Sequence, residues 1–494
     1  MNAKAELGTL EASGLIKLAA LQPELEYLFR HALVQDAAYG SLLKQERRAL
    51  HARAAEVLLA TYPDRRRELA SVIALHLEQA GDTAAAVEHL VVAGEHALER
   101  FAYREAVDFM ERAYAHIDAA DQMPATLALR LRAAVGAAKG GWGFEPGSKH
   151  IGRLEELLRS ADGVAEPRLV AEGYFWEAFL RQGQGERPEG SPALQRALQR
   201  SADIGREIGD PVAHALPQAV TAVYLIFSGQ LRAGTALLES VLPAIEKGSD
   251  RLAAASLDTM LMLGYARLGE FAAAERSLAR AERLAEGGDA ILRLDVDMTR
   301  ANIAFERGEL RESVETLTRC AQDAEDLGAV ACAVPANVLL GMARLRADEV
   351  GAAKPPLLRG QELARIVGVP TMGNAARAGL SVVDSRMGET GTAQSGLGDV
   401  IADARAMGDR FLEGHALWER GLGEERSPAP DHDTALADIA AAAALFEEIE
   451  ARPSLARTLR DQARLLASAG RVEEATTIAD RATALARELG LRDM

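Results

Sequence analysis

The chain has 494 residues, with 73 Asp and Glu against 56 Lys and Arg, a formal net charge of −17. A surface of that sign repels phosphates and argues against DNA or RNA as a partner. Hydrophobic residues make up 48% of the chain but aromatics only 4%, so alanine and leucine carry the core, a composition that favours close-packed helices over sheets. Cys320 and Cys332 make no zinc pattern and suit small apolar fillers in a reducing compartment. No signal peptide opens the sequence, and no apolar run reaches the roughly 18 residues a membrane span needs. A cytoplasmic location with no membrane contact is therefore expected.

Leu7 to Leu59 differs in character from the rest of the chain. A helical start breaks at Gly14; LIKLAAL and LEYLF then read as two short strands turning around Gln22-Pro23. From Arg30 the helical period returns, with Leu33, Val34, Ala37, Ala38 and Leu42 apolar, and Arg47 to Thr61 forms a further helix stopped by Pro63. Helix, small hairpin, helix is the outline of the end of a winged-helix domain.

FRHALVQDAAYGSLL followed by ERRALHARAAEVL resembles a segment of bacterial signalling ATPases of the STAND type, many of them fused to adenylate or guanylate cyclase domains. The resemblance covers about Leu7 to Leu59 and is architectural beyond it. It implies that the segment closes the winged-helix part of a nucleotide switch and that TPR-like repeats follow. It also implies an upstream ATPase module as partner. His31 stands where such families place a histidine that senses nucleotide phosphates. A STAND ATPase needs a phosphate-cradling G-x-x-x-x-G-K-[ST] loop, which this sequence lacks, as it lacks a cyclase domain. Without the ATPase, His31 reads as a partly buried structural histidine.

Arg67 to Ala80, Thr83 to Glu99 and Tyr103 to Ile117 read as three helices, turned at Gly81-Asp82 and Phe101-Ala102. Asp118 to Ala125 reads as a linker. Thr126 to Phe227 is the least regular stretch, with loops at Gly140–Gly147 and Arg181–Pro192. Between these loops Tyr174, Phe175, Trp176 and Phe179 gather aromatics, and stacking can bring Trp142, Phe144, Tyr224 and Phe227 near them. Trp142, Tyr174, Phe175, Trp176, Phe179, Tyr224 and Phe227 are the candidate ligand or partner groove; ordinary core filling at an irregular junction is the blander reading.

From Ser228 onward one pattern recurs. Its turn residues are Gly229, Gly269, Gly308, Asp348, Gly388 and, after one gap, Gly470, the first four steps being about 40 residues, in the range of paired-helix repeats. Five positions after each turn comes a small residue (Gly234, Ala274, Ser313, Ala353, Ala393, Ala475). Nine after it, in five copies, comes leucine (Leu238, Leu278, Leu317, Leu357, Leu397). Small residues let helix backbones approach, and the leucine fills the groove beside the crossing. Pro355-Pro356 is expected to delay the fourth copy's helix, and Gly396 and Gly398 to weaken the next. Arg426 to Asp433 reads as an insertion, and ARELGLRDM as a terminal cap.

The expected fold is therefore all-α: a right-handed superhelical solenoid of TPR-like helix pairs with a partial winged-helix-like start. The expected divisions are 1–62, 63–124, 125–227 and 228–494. No catalytic, metal or cofactor motif is present: His89 and His96 are too widely spaced for one-helix metal ligands, and Leu294 to Asp297 lacks a calcium loop's glycine. The leading function is a non-catalytic scaffold or sensor gripping a protein partner in its groove. The alternatives are a small-molecule sensor and, last, an enzyme with an unrecognised site.

Overall fold

The computed structural model describes residues 3–20, 26–117, 123–142, 144–248, 251–286 and 290–494. The Gln22-Pro23 turn and most of the 118–125 linker lie outside that set. Contacts divide the chain into two compact units, Met1–Asp121 and Gln122–Met494.

The first unit opens with α1 (Ala3–Ala12), the antiparallel strands β1 (Ile16–Ala20) and β2 (Glu26–Phe29), α2 (Ala32–Ser41) and α3 (Lys44–Thr61). A short 3-10 turn at Pro63–Arg65 leads to α4 (Ala70–Ala80), α5 (Thr83–Glu99) and α6 (Tyr103–His116). The turns behave as the sequence implies. Gly81 is left-handed, and so is Phe101 despite its side chain. The small and large packing positions after these turns, Ala86 with Leu90 and Ala106 with Met110, are all fully buried.

The second unit is a run of antiparallel pairs. It begins with α7 (Pro124–Gly141), α8 (Gly147–Ala161), α9 (Pro167–Gly183), α10 (Pro192–Glu207), α11 (Pro211–Phe227) and α12 (Leu231–Ile245). It continues with α13 (Arg251–Leu268), α14 (Phe271–Ala285), α15 (Ala290–Arg307), α16 (Leu310–Asp326), α17 (Val330–Arg346) and α18 (Val350–Val367). The last are α19 (Pro370–Arg386), α20 (Thr390–Met407), α21 (Arg410–Glu425), α22 (His432–Glu448), α23 (Arg452–Ser468) and α24 (Val472–Leu489). Successive odd-numbered helices from α7 to α21 pack on one another as well as on their partners, so they form the inner layer. The fold is all-α, a TPR-like helical-repeat solenoid. Among the described residues no helix is long and apolar enough to cross a membrane.

The turn residues explain the repeat. Gly229, Gly269, Gly308, Gly388 and Gly470 all have φ between +78° and +96°, and Asp348 has +62°, a backbone that closes a helix by returning its last N–H groups to the carbonyls behind. Ala274, Ser313, Ala353 and Ala393 are buried, as are Leu238, Leu317, Leu357 and Leu397. Leu278 departs from the rule and is only partly buried, packing beside the core while Ser277 and Ala281 fill the interior. The gap in the pattern is not a gap in the fold. After the Arg426–Asp431 insertion, α22 places Ala435 and Ile439 at the same two offsets, both fully buried.

One expectation is corrected. The prolines do not delay α18, which starts at Val350 and carries Pro355 and Pro356 inside it. Pro356 cannot donate to the Ala352 carbonyl, and the Arg344 Nη1 donates to that oxygen at 2.7 Å instead. Helix α20 runs unbroken through Gly396, where a Cβ would lie 2.4 Å from Ser381 Oγ, so glycine there lets the two helices approach.

The solenoid closes on itself. Helix α23 packs back onto α13 and α15. Arg457, 1% exposed, donates to both Asp493 carboxylate oxygens at 2.8 Å and to the Glu306 carbonyl at 2.8 Å. The Arg492 N–H donates to the Arg307 carbonyl at 2.9 Å. Arg232 forks onto Glu450 at 2.7 to 3.1 Å, 218 residues away. The closing segment ARELGLRDM is thus more than a polar cap, because its Asp493 clamps the far end of the coil to the middle.

Candidate functional site

Closure leaves a cavity of about 540 Å³ inside the second unit, a size typical of small-molecule sites. Six of the seven candidate aromatics line it: Trp142, Phe175, Trp176, Phe179, Tyr224 and Phe227. Phe179 follows Trp176 by three residues and Phe175 by four, so its ring lies beside both on α9. The Trp176 and Phe179 rings meet edge to face at 5.4 Å, and Trp142, just past α7, meets Phe179 edge to face at 5.6 Å. Tyr174 does not join them. It points away, its hydroxyl 3.5 Å from the Leu158 carbonyl, and belongs to the packing between α8 and α9.

Much of the remaining wall comes from α11, α13, α15, α17 and α19. It is mostly apolar, with Met260, Met298 and Met372 among its residues, and Cys332 lines it too. Set into this wall is Asp295, whose Oδ2 lies 3.4 Å from the Thr259 hydroxyl. Burial pushes its carboxyl up to about 6, against the pull of the Ser256 and Thr259 hydroxyls. At the far side Asp409 caps α21 by accepting from the Leu412 N–H at 2.9 Å. Burial raises its pKa too, opposed by that backbone bond and by the charge of Arg267.

The polar loop between α9 and α10 forms part of the wall. Arg181 holds its base, donating to Glu177 at 2.9 Å, Glu155 at 2.9 Å and Glu186 at 3.0 Å. From there the loop reaches across the coil. A Cβ on Gly185 would lie 3.1 Å from Pro370 Cγ and 3.2 Å from Met407 Cε. On the near side, the Tyr224 hydroxyl donates to Glu189 at 2.8 Å. Burial first, then that carboxylate, pushes the Tyr224 pKa up to about 12.

A second feature gave no sign in the turn, small-residue and leucine pattern. Arg267, Arg307, Arg346, Arg386 and Arg426 recur one repeat apart near the ends of inner helices. Arg346 and Arg386 each donate to a carbonyl one repeat back, at Phe305 and Leu345, both at 2.6 Å, and Arg426 donates to the Ser385 hydroxyl at 3.0 Å. Arg346 also lies 3.6 Å from the Phe305 ring centre. The ladder satisfies helix C-terminal carbonyls, and an arginine one or two positions before Gly269, Gly308, Asp348 and Gly388 was its sequence signal.

His31 lies in the first unit. It caps α2 with no side-chain hydrogen bond to the helix, and it is exposed rather than partly buried.

No family model matches the chain. An uncharacterized protein of Rhizobium meliloti (strain 1021) is 32% identical over 110 residues, 21% of this chain and 10% of that protein, so the match spans a tenth of the relative's length. Among solved structures, a Rap conjugation gene regulator in complex with the Phr* peptide aligns with a TM-score of 0.47 at 12% identity, covering 74% of this chain and 95% of that one. A STAND protein with a tetratricopeptide repeat sensor from Pyrococcus horikoshii aligns with a TM-score of 0.37 at 15% identity, covering 97% of this chain and 61% of that one.

Proposed function

We propose that the second unit is a non-catalytic sensor that holds a small molecule in the closed centre of its helical coil. One observation carries this reading: a cavity of about 540 Å³ walled by six aromatic residues in a chain that is only 4% aromatic. A core built from alanine and leucine has no need to collect its rings around a void. Ligand binding stabilises the closed coil over any opened form by mass action. The test is a thermal-shift screen of the full chain against metabolites, with Trp176→Ala as control. Saturable stabilisation that Trp176→Ala abolishes supports the site; stabilisation that survives the substitution places binding elsewhere. ATP hydrolysis by this chain alone would overturn the non-catalytic reading.

A second reading concerns the first unit and is favoured by its apolar surface. Leu33, Leu43 and Leu50 are 81%, 70% and 57% exposed, an arrangement that fits a protein partner lying over α2 and α3. The occupant that the resemblance implies is a STAND-type nucleotide-switch module, with His31 turned toward its phosphates. Crosslinking of this chain to a separately expressed module, lost on Leu33→Ser with Leu43→Ser, tests it; crosslinking unaffected by that pair of changes rejects this face.

A further inference from the structure

Buried and partly buried carboxylates in the second unit are paired with arginine in most places where they occur. Glu177 accepts from Arg181 at 2.9 Å, Asp258 forks onto Arg280, and Asp493 takes Arg457 at 2.8 Å. On the cavity wall Glu186 takes Arg181, and Asp409 accepts from backbone N–H groups at the start of α21 with the charge of Arg267 in range. Asp295 is the exception. Its partners are hydroxyls, Thr259 and Ser256, and among the described residues no lysine, arginine or histidine forms an ion pair with it. Its neighbour Asp297, two residues on, takes Arg300 at 2.5 Å, so arginine is at hand on the same helix and the fold directs it elsewhere.

A carboxylate set into an apolar wall without a cation is costly to keep. The cost is offset when the missing cation arrives with a ligand. The same cavity supplies aromatic faces, which attract cations and accept flat apolar groups. Resting on the sensor reading above, we infer that the ligand carries a protonated amine that pairs with Asp295 and an apolar, ring-sized body that packs against Trp176 and Phe179.

Three indoles of matched size test this on the full chain at pH 7.5, with melting followed by circular dichroism: tryptamine (cationic), tryptophol (neutral) and indole-3-propionate (anionic). Tryptamine is expected to raise Tm saturably, with half-saturation at least tenfold below that of tryptophol, and indole-3-propionate to do least. Asp295→Asn should erase the tryptamine preference, bringing its half-saturation to within threefold of tryptophol's on the same variant. Tryptophol or indole-3-propionate matching tryptamine overturns the amine assignment, as does a preference that survives Asp295→Asn, or a flat response to all three. None of these removes the cavity reading, which fails separately if metabolite stabilisation survives Trp176→Ala.

Discussion

The two units use the same helical grammar and end in opposite conditions. In the first, α2 buries no residue and α3 only Ala55, while leucines stand in water. In the second, the inner helices turn their apolar faces toward one another and the coil closes through Arg457 and Asp493. Amphipathic patterning is thus present in both units, but only the second supplies its own cover. The partners proposed above match what each unit leaves uncovered: an apolar surface for α2 and α3, a cation for Asp295.

Breaking the clamp should have the largest effect. Arg457→Ala leaves Asp493 and Glu306 buried beside an empty space, and removing one partner of a buried pair costs about 3–5 kcal/mol. Trp142, Trp176 and Trp418 are all the tryptophans and all lie in the second unit, so urea unfolding followed by tryptophan fluorescence reads that unit alone. A loss under about 1 kcal/mol would mean that water already screens the pair and the coil closes by other means.

The core leucines sharpen the contrast within one repeat rule. Leu397, fully buried, should cost about 2–5 kcal/mol as alanine. Leu278 holds the equivalent place in the sequence but is only partly buried, and its alanine variant should cost under about 1.5 kcal/mol, since less area leaves contact with protein. Equal losses in the same fluorescence assay would show that the sequence register outweighs the observed burial.

These cases show what the sequence makes legible. Turn, small residue and leucine lie within nine positions of each other, so a local pattern reports them, and the helices that they predict are present. The aromatics on α9 were visible as a local excess. Coil closure was not visible, because Arg232 with Glu450 and Arg457 with Glu306 are ordinary residue types brought together over more than 150 positions. Asp295 was hidden for the opposite reason. Arg293 and Arg300 flank it, and local spacing reads every acid near an arginine as paired, whereas the fold gives Arg300 to Asp297 and Glu282.

The unpaired acid yields a pH-dependent prediction. Burial raises the Asp295 pKa from 3.8 to about 6, so the folded protein binds its proton more tightly than the unfolded chain. Ionised Asp295 therefore destabilises the fold above pH 6, and the penalty is relieved as pH falls from 6 toward 3.8. Asp295→Asn should add stability at pH 8, by an amount on the order of 3 kcal/mol at most, and almost none near pH 4. Urea midpoints at the two pH values decide it, and an equal gain at both would mean that the carboxyl is already compensated in the unliganded protein.

The smallest effect is expected where the sequence looks most hydrophobic. Leu33 is 81% and Leu43 70% exposed, so replacing both with serine removes little that folding has buried. Surface changes of this kind usually stay within about 0.5 kcal/mol. Thermal unfolding followed by circular dichroism should hardly move, while light scattering of concentrated solutions should fall, because two large side chains leave an apolar patch. A destabilisation of several degrees would mean that α2 and α3 already pack those leucines against this chain. The first unit would then complete its own surface as the second does, and the face would need no partner.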